Sequence, residues 1–186
     1  MSAGAAGKLK KTVVMVGMMG SGKTAVGRAL ACSLGVPFRD SDAEIEAAAA
    51  MSVAEIFARD GEAFFRERET EVIDRLLEAG CGVLSTGGGA FLVARNRALI
   101  SKKGVSVWLN ADLPLLWSRV KHKDTRPLLR TPDPRGTLKA LYEARVPVYA
   151  EADLEVVSRA EYSIDMMAEK VLEALGRRPD VLEAAT

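Results

Sequence analysis

The sequence predicts an α/β fold, one parallel sheet with helices on both faces. Three observations lead there. Short apolar runs alternate with stretches of helical periodicity. A glycine-rich turn, Gly17-Met-Met-Gly20-Ser-Gly22, joins the first apolar run to the first helical pattern. The 186 residues fit one domain, with no internal repeat and no interdomain linker.

The first strand is Val13 to Val16, a continuous apolar run that stops at Gly17. A helix follows from Lys23 to Leu34, and Gly35 closes it as a C′ glycine. Pro37 to Arg39 form a second short strand ending in Asp40-Ser41-Asp42. The stretch 43–51 is alanine-rich and helical. Ser52 and Glu55 then form a capping box ahead of Ile56 and Phe57. A helix runs from Glu62 to Ala79 and stops at Gly80. Val83 and Leu84 mark the third strand, which leads to Gly87-Gly88-Gly89.

Leu92 to Lys102 is helical, and Val105 to Leu109 is the fourth strand. Asp112 caps a helix with Pro114 in its first turn. Residues 120–136 break the rhythm with three prolines and a basic cluster, the mark of a functional loop. The next helix covers 137–150, with Pro147 expected to end or kink it. Leu154 to Val157 is the fifth strand, and Asp165 to Leu175 the last helix. The expected organisation is a disordered basic tail over 1–11, one domain over 12–176 and a polar tail over 177–186.

Charge and rare residues exclude several functions. With 26 basic and 25 acidic residues, the net charge of +1 provides no global attraction to nucleic acid or membrane. No apolar run approaches the ~20 residues of a membrane span, and the first eleven lack the apolar core of a signal peptide. Two cysteines, Cys32 and Cys81, give no disulfide framework. The single histidine, His122, gives no multi-histidine metal site. These features suit a reduced, cytoplasmic protein, and nothing in them demands more than a monomer.

Residues 17–24 match G-x-x-x-x-G-K-[ST] between a strand and a helix. Backbone N–H groups of such a loop wrap phosphate oxygens, and the helix N-terminus adds positive potential. Lys23 reaches the β- and γ-phosphates, and the Thr24 hydroxyl suits Mg²⁺. The motif says nucleotide and no more. Guanine-nucleotide switches carry Asn-Lys-x-Asp after a strand, a pattern missing here. Motor-type ATPases end an apolar strand in aspartate, where this chain has Thr86 and three glycines.

Asp40 and Asp42 fall at the carboxyl edge of the sheet, beside the phosphate loop. One carboxylate there suits Mg²⁺, and the other suits the proton of a substrate hydroxyl. A helix cap with a solvated neighbour is the plain alternative. The triple glycine allows close approach of a ligand to backbone donors, or is simply a flexible turn. Arg66 and Glu69 share a helix face in a charged segment that also reads as a solvated surface. Phe57 and Phe65 read as core on spacing alone. Arg119, Lys121, Lys123, Arg126 and Arg130 fit a mobile lid over a γ-phosphate better than a nucleic-acid patch, because interleaved aromatics are missing. Arg145, just before Pro147, is one more cation for an anionic ligand.

Together these motifs resemble the shikimate kinases, members of the nucleoside-monophosphate-kinase-like P-loop group, over roughly residues 12–150. The resemblance rests on 17–24, Asp40-Ser-Asp42, Ile56-Phe57 with Asp60-Gly-Glu62, Phe65-Arg66 with Glu69, Gly87-Gly88-Gly89, Arg126-Pro-Leu-Leu129, and Arg145 with Pro147 and Tyr149. It implies a three-layer α/β/α fold with five parallel strands in the order 2-3-1-4-5. It implies ATP as co-substrate, bound by Gly20, Ser21, Gly22, Lys23, Thr24 and Ala25, with Arg126 on the phosphates and Arg119 against adenine. Mg²⁺ would sit on Thr24 and, through water, on Asp40. Asp42 would be the catalytic base, with Lys23 and Arg126 as the other catalytic groups. Arg66, Gly87, Gly88, Gly89 and Arg145 would bind shikimate, with Phe57 and Phe65 along its ring. The stretch 158–163 matches no adenine-binding segment of the family. The implied reaction is phosphorylation of the shikimate 3-hydroxyl in aromatic amino-acid synthesis. The alternatives are a nucleotide-dependent switch or binding module without transfer, and a kinase of another metabolite such as gluconate.

Overall fold

The computed structural model describes residues 7–123 and 126–184. Its strands are β1 (Lys8–Leu9), β2 (Thr12–Val16), β3 (Phe38–Asp40), β4 (Val83–Ser85), β5 (Gly104–Asn110), β6 (Leu154–Val157) and β7 (Leu182–Glu183). The α-helices are α1 (Lys23–Leu34), α2 (Ser41–Ala49), α3 (Val53–Asp60), α4 (Glu62–Glu78), α5 (Ala94–Lys103), α6 (Leu113–Val120), α7 (Pro134–Tyr149) and α8 (Ile164–Gly176). Two single 3₁₀ turns lie at Ala90–Leu92 and Pro127–Leu129.

The main sheet has five parallel strands in the order β3-β4-β2-β5-β6. Counted from Val13 as the first strand, this is the expected 2-3-1-4-5. Strand β2 is central and buried throughout. Its alternation sends Val13 and Met15 to one face and Val14 and Val16 to the other. On the first face they meet α1 and α8 through Val26, Leu30, Val171 and Leu175. On the second they meet Ile73, Ile100, Leu116 and Leu138 from α4 to α7. A smaller core of Ile45, Ile56 and Phe65 ties α2, α3 and α4 together beside the sheet. Among the described residues, no helix is long and apolar enough to cross a membrane.

One expectation needs correction. The tails are not wholly outside the fold: Lys8–Leu9 pairs antiparallel with Leu182–Glu183. Leu9, Val181 and Leu182 are buried against the α1–α8 face, and Lys11 pairs with Asp180 at 3.0 Å. Apolar side chains on two very short strands supply this clasp. Residues 1–6 of the expected disordered tail lie outside the described residues. Helix α7 ends at Tyr149, two residues after Pro147 and close to the expected boundary, with Ala150 N–H donating to the Val146 carbonyl at 2.9 Å. A proline this near a helix end removes one donor in the final turn without breaking the rest.

The expected lid falls between α6 and α7, and its residues 124 and 125 lie outside the described residues. Leu129 is buried in the core there. Asp133 caps α7 by accepting from Gly136 N–H at 3.0 Å.

Candidate active site

The carboxyl edge of the sheet gathers the site. Asp40 and Ser85 end β3 and β4 in register, and Met15 lies beside Ser85 two residues before the glycine loop. No side chain caps α1, and Gly22 before it adopts a left-handed φ of 93° that favours glycine. Lys23 is buried, its ammonium donating to the Gly17 and Met18 carbonyls at 2.8 and 2.9 Å. Burial lowers its pKa to about 8, and Arg126 and Arg145 push the same way against Asp42 and Asp40.

A cavity of about 540 Å³ opens over this loop. Gly20 to Ala25 line its floor, and Asp40, Asp42, Gly87 and Gly88 line one wall. Arg119 and Arg126 line it from the α6–α7 side. Arg119 donates to the Gly20 carbonyl at 3.1 Å, and the buried Arg126 Nε has no partner among the described residues. The far wall is Ser158, Tyr162, Ser163 and Ile164, the stretch for which the sequence offered no motif.

Thr24 Oγ1 lies 3.4 Å from both Asp40 Oδ2 and Ser85 Oγ. The other oxygen of Asp40 caps α2, accepting from Ala43 N–H at 3.1 Å. No cluster of three or more His, Cys, Asp or Glu side chains that would hold a metal by itself occurs among the described residues. The hard oxygens of Thr24 and Asp40 beside a phosphate loop fit Mg²⁺, which takes most of its ligands from water and phosphate.

Asp42 stands between this cavity and a second group of cations. Its Oδ1 is buried without a partner among the described residues. Burial raises its pKa to about 6, and Asp40 adds to the rise while Lys23 and Arg66 oppose it. A Cβ on Gly87 would lie 2.9 Å from the Asp42 carboxylate, and one on Gly89 would collide with the Arg66 guanidinium. The bare backbone of the triple glycine therefore admits both side chains. A Cβ on Gly88 would lie 3.4 Å from Arg145 Nη1. Arg145 also bonds to the Tyr149 hydroxyl, which in turn donates to the Gly88 carbonyl.

Arg66 pairs with Glu69 at 2.7 Å, and Glu69 is 0% exposed. Burial raises the Glu69 pKa to about 6, against the pull of Arg66. The Arg66 guanidinium lies 5.9 Å from the Phe57 ring centre and 5.3 Å from that of Phe65. The two rings are 4.7 Å apart. Phe65 is 2% exposed and belongs to the core under α2–α4. It packs against Phe57 and lies beside the Arg66 guanidinium. Phe57 is half-buried and keeps an open edge.

Most expected site residues thus converge on one sheet edge. Sequence reasoning missed Ser85 and the role of Tyr149 in holding Gly88 and Arg145. A hydroxyl closing the strand next to β2 was the available signal for Ser85.

Known proteins share this sequence and architecture. Residues 19–176 match the family model described as shikimate kinase. A shikimate kinase of Ruegeria pomeroyi is 71% identical over 97% of this chain and 92% of that protein. One of Cereibacter sphaeroides is 66% identical over 95% of this chain and 88% of that protein. The structure of shikimate kinase from Acinetobacter baumannii in complex with shikimate superposes with a TM-score of 0.85 at 37% identity, covering 90% of this chain and 94% of that one. With a family match across most of its length and relatives of this identity, this chain belongs to the shikimate kinase family.

Proposed function

We propose that the chain transfers the γ-phosphoryl group of ATP to the 3-hydroxyl of shikimate, releasing ADP and shikimate 3-phosphate in aromatic amino-acid biosynthesis. The observation that carries this is the place of Asp42. Its carboxylate, with Oδ1 buried and unpartnered among the described residues, lies between Lys23 of the phosphate loop and Arg66, with Arg145 one residue along the glycine turn. An alcohol that also bears a carboxylate fits both ends of that arrangement.

Arg66 and Arg145 grip the substrate carboxylate, a planar anion suited to guanidinium. The backbone at Gly87 to Gly89 lets the ring approach, and Phe57 packs along it. Asp42 accepts the hydroxyl proton as the oxygen attacks phosphorus and the bond to the ADP oxygen breaks. A carboxyl with a pKa of about 6 is ionised at neutral pH and basic enough to assist. Lys23 and Arg126 hold the phosphates, and Arg119 faces the base. Thr24 would bind Mg²⁺ directly and Asp40 through water. The ion, when bound, neutralises charge on the phosphate oxygens. The α6–α7 segment is the lid that closes on ATP and brings Arg126 with it.

The test is ADP release from Mg²⁺-ATP with shikimate, gluconate, AMP or no acceptor. Strong stimulation by shikimate alone is expected. Stimulation by gluconate would reassign the acceptor. ATP binding without stimulation by any acceptor would leave a nucleotide-binding module.

A further inference from the structure

The triple glycine is held in place by groups that touch neither ATP nor the reacting alcohol. Asn96, at the start of α5, is 0% exposed, and Thr70, on α4, is 5% exposed. The Thr70 hydroxyl donates to Asn96 Oδ1 at 2.7 Å. Asn96 Nδ2 donates to the carbonyl of Ala90, the residue after Gly89, at 2.9 Å. Thr70 Oγ1 also lies 3.0 Å from the carbonyl of Arg66, one turn back on the same helix. A hydroxyl has one proton, so the shorter bond to Asn96 takes it and the Arg66 carbonyl is its fallback. The chain of bonds thus begins one turn below Arg66 and ends at the backbone against which the Arg66 guanidinium lies.

We propose that Thr70 and Asn96 are positioning residues for shikimate, fixing the gap between Arg66 on α4 and the glycine turn. Three features support this. Asn96 uses both ends of its amide on partners from different elements, so its orientation is specified. The Gly89 backbone sits so close to Arg66 that a single Cβ would collide with it, so a small slip of α4 against the turn moves the guanidinium. The opposite side of the turn is held independently, by the Tyr149 hydroxyl on Gly88 next to Arg145. Thr70 and Asn96 hold one arginine and Tyr149 the other, and the separation of the two arginines must suit one carboxylate. The inference rests on Arg66 as a carboxylate ligand.

The experiment compares Thr70→Val, which keeps shape and removes the hydroxyl, with Thr70→Ser, which keeps the hydroxyl. Asn96→Ala is the second variant, and Arg66→Ala the control. In the intact enzyme, Thr70→Val and Asn96→Ala are expected to raise the KM for shikimate about fivefold, the factor one hydrogen bond supplies. The KM for ATP and the kcat at saturating substrates stay within about twofold, and Thr70→Ser restores the wild-type KM. Equal changes in both KM values, no change in either, or a serine variant as impaired as valine would each overturn the proposal. Should Thr70→Val fail to fold, the split for Asn96→Ala decides alone. If Arg66→Ala leaves the shikimate KM unchanged, the carboxylate reading fails, and the result is distinguishable from failure of the Thr70–Asn96 inference.

Discussion

Replacing Asp42 by asparagine is expected to stabilise the protein while abolishing turnover. The carboxyl titrates near 6 in the folded chain, against an ordinary value of 3.8. A folded pKa above the unfolded one means that ionisation opposes folding. Below pH 3.8 both states are protonated and the cost vanishes. Between the two values the unfolded chain releases its proton first, so stability falls as pH rises. Above pH 6 the cost is constant, and two pKa units correspond to ~3 kcal/mol. Asparagine keeps the shape and removes the charge, and the unpartnered Oδ1 means that no hydrogen bond to that oxygen is lost. A gain of ~1–3 kcal/mol at pH 7.5 raises the Tm of a chain this size by roughly 2–10 °C. At pH 4 the gain shrinks to about 0.5 kcal/mol by the same linkage. Calorimetric melting of both proteins at the two pH values, with ADP release at pH 7.5, is the assay. A variant that melts at or below wild type at pH 7.5, or whose gain persists at pH 4, refutes the electrostatic argument. Retained turnover removes Asp42 as base.

Three further outcomes are expected. With Lys23 near pKa 8, affinity for a non-hydrolysable ATP analogue should drop about fivefold between pH 8 and 9, because only the ammonium pairs with phosphate; titration calorimetry reads this directly. Gly89→Ala places a methyl group against the Arg66 guanidinium and should raise the shikimate KM at least roughly tenfold with ATP binding intact, measured by steady-state kinetics. Ser85→Ala removes the hydroxyl beside Thr24 and should weaken Mg²⁺-ATP by about fivefold without moving the shikimate KM, the reverse pattern in the same assay.

What the sequence revealed was local in character. The glycine loop is one contiguous stretch whose spacing alone dictates its shape, and β2, β4, β5 and β6 show as short, mainly apolar runs. The clasp was invisible because two-residue strands carry no periodicity and the partners lie 175 residues apart at Lys8 and Glu183. Glu69 reads as one charge among many until the fold buries it against Arg66. Thr70 and Asn96 are 26 positions apart and carry no motif, so only packing of α4 against α5 reveals the pair.

The clasp has a consequence for how the molecule comes apart. Strand β1 has β7 as its pairing partner, and both lean on the α1–α8 face. Peeling either end exposes the other, so the two termini melt as a single unit although they are farthest apart along the chain. That unit rests on α8, whose first turn forms a wall of the cavity over the phosphate loop through Ile164 and Met167. Loosening of β1 and β7 is thereby coupled to the wall of the cavity proposed to hold ATP, and occupancy of that cavity is expected to slow exchange of the amide protons at Leu9 and Leu182.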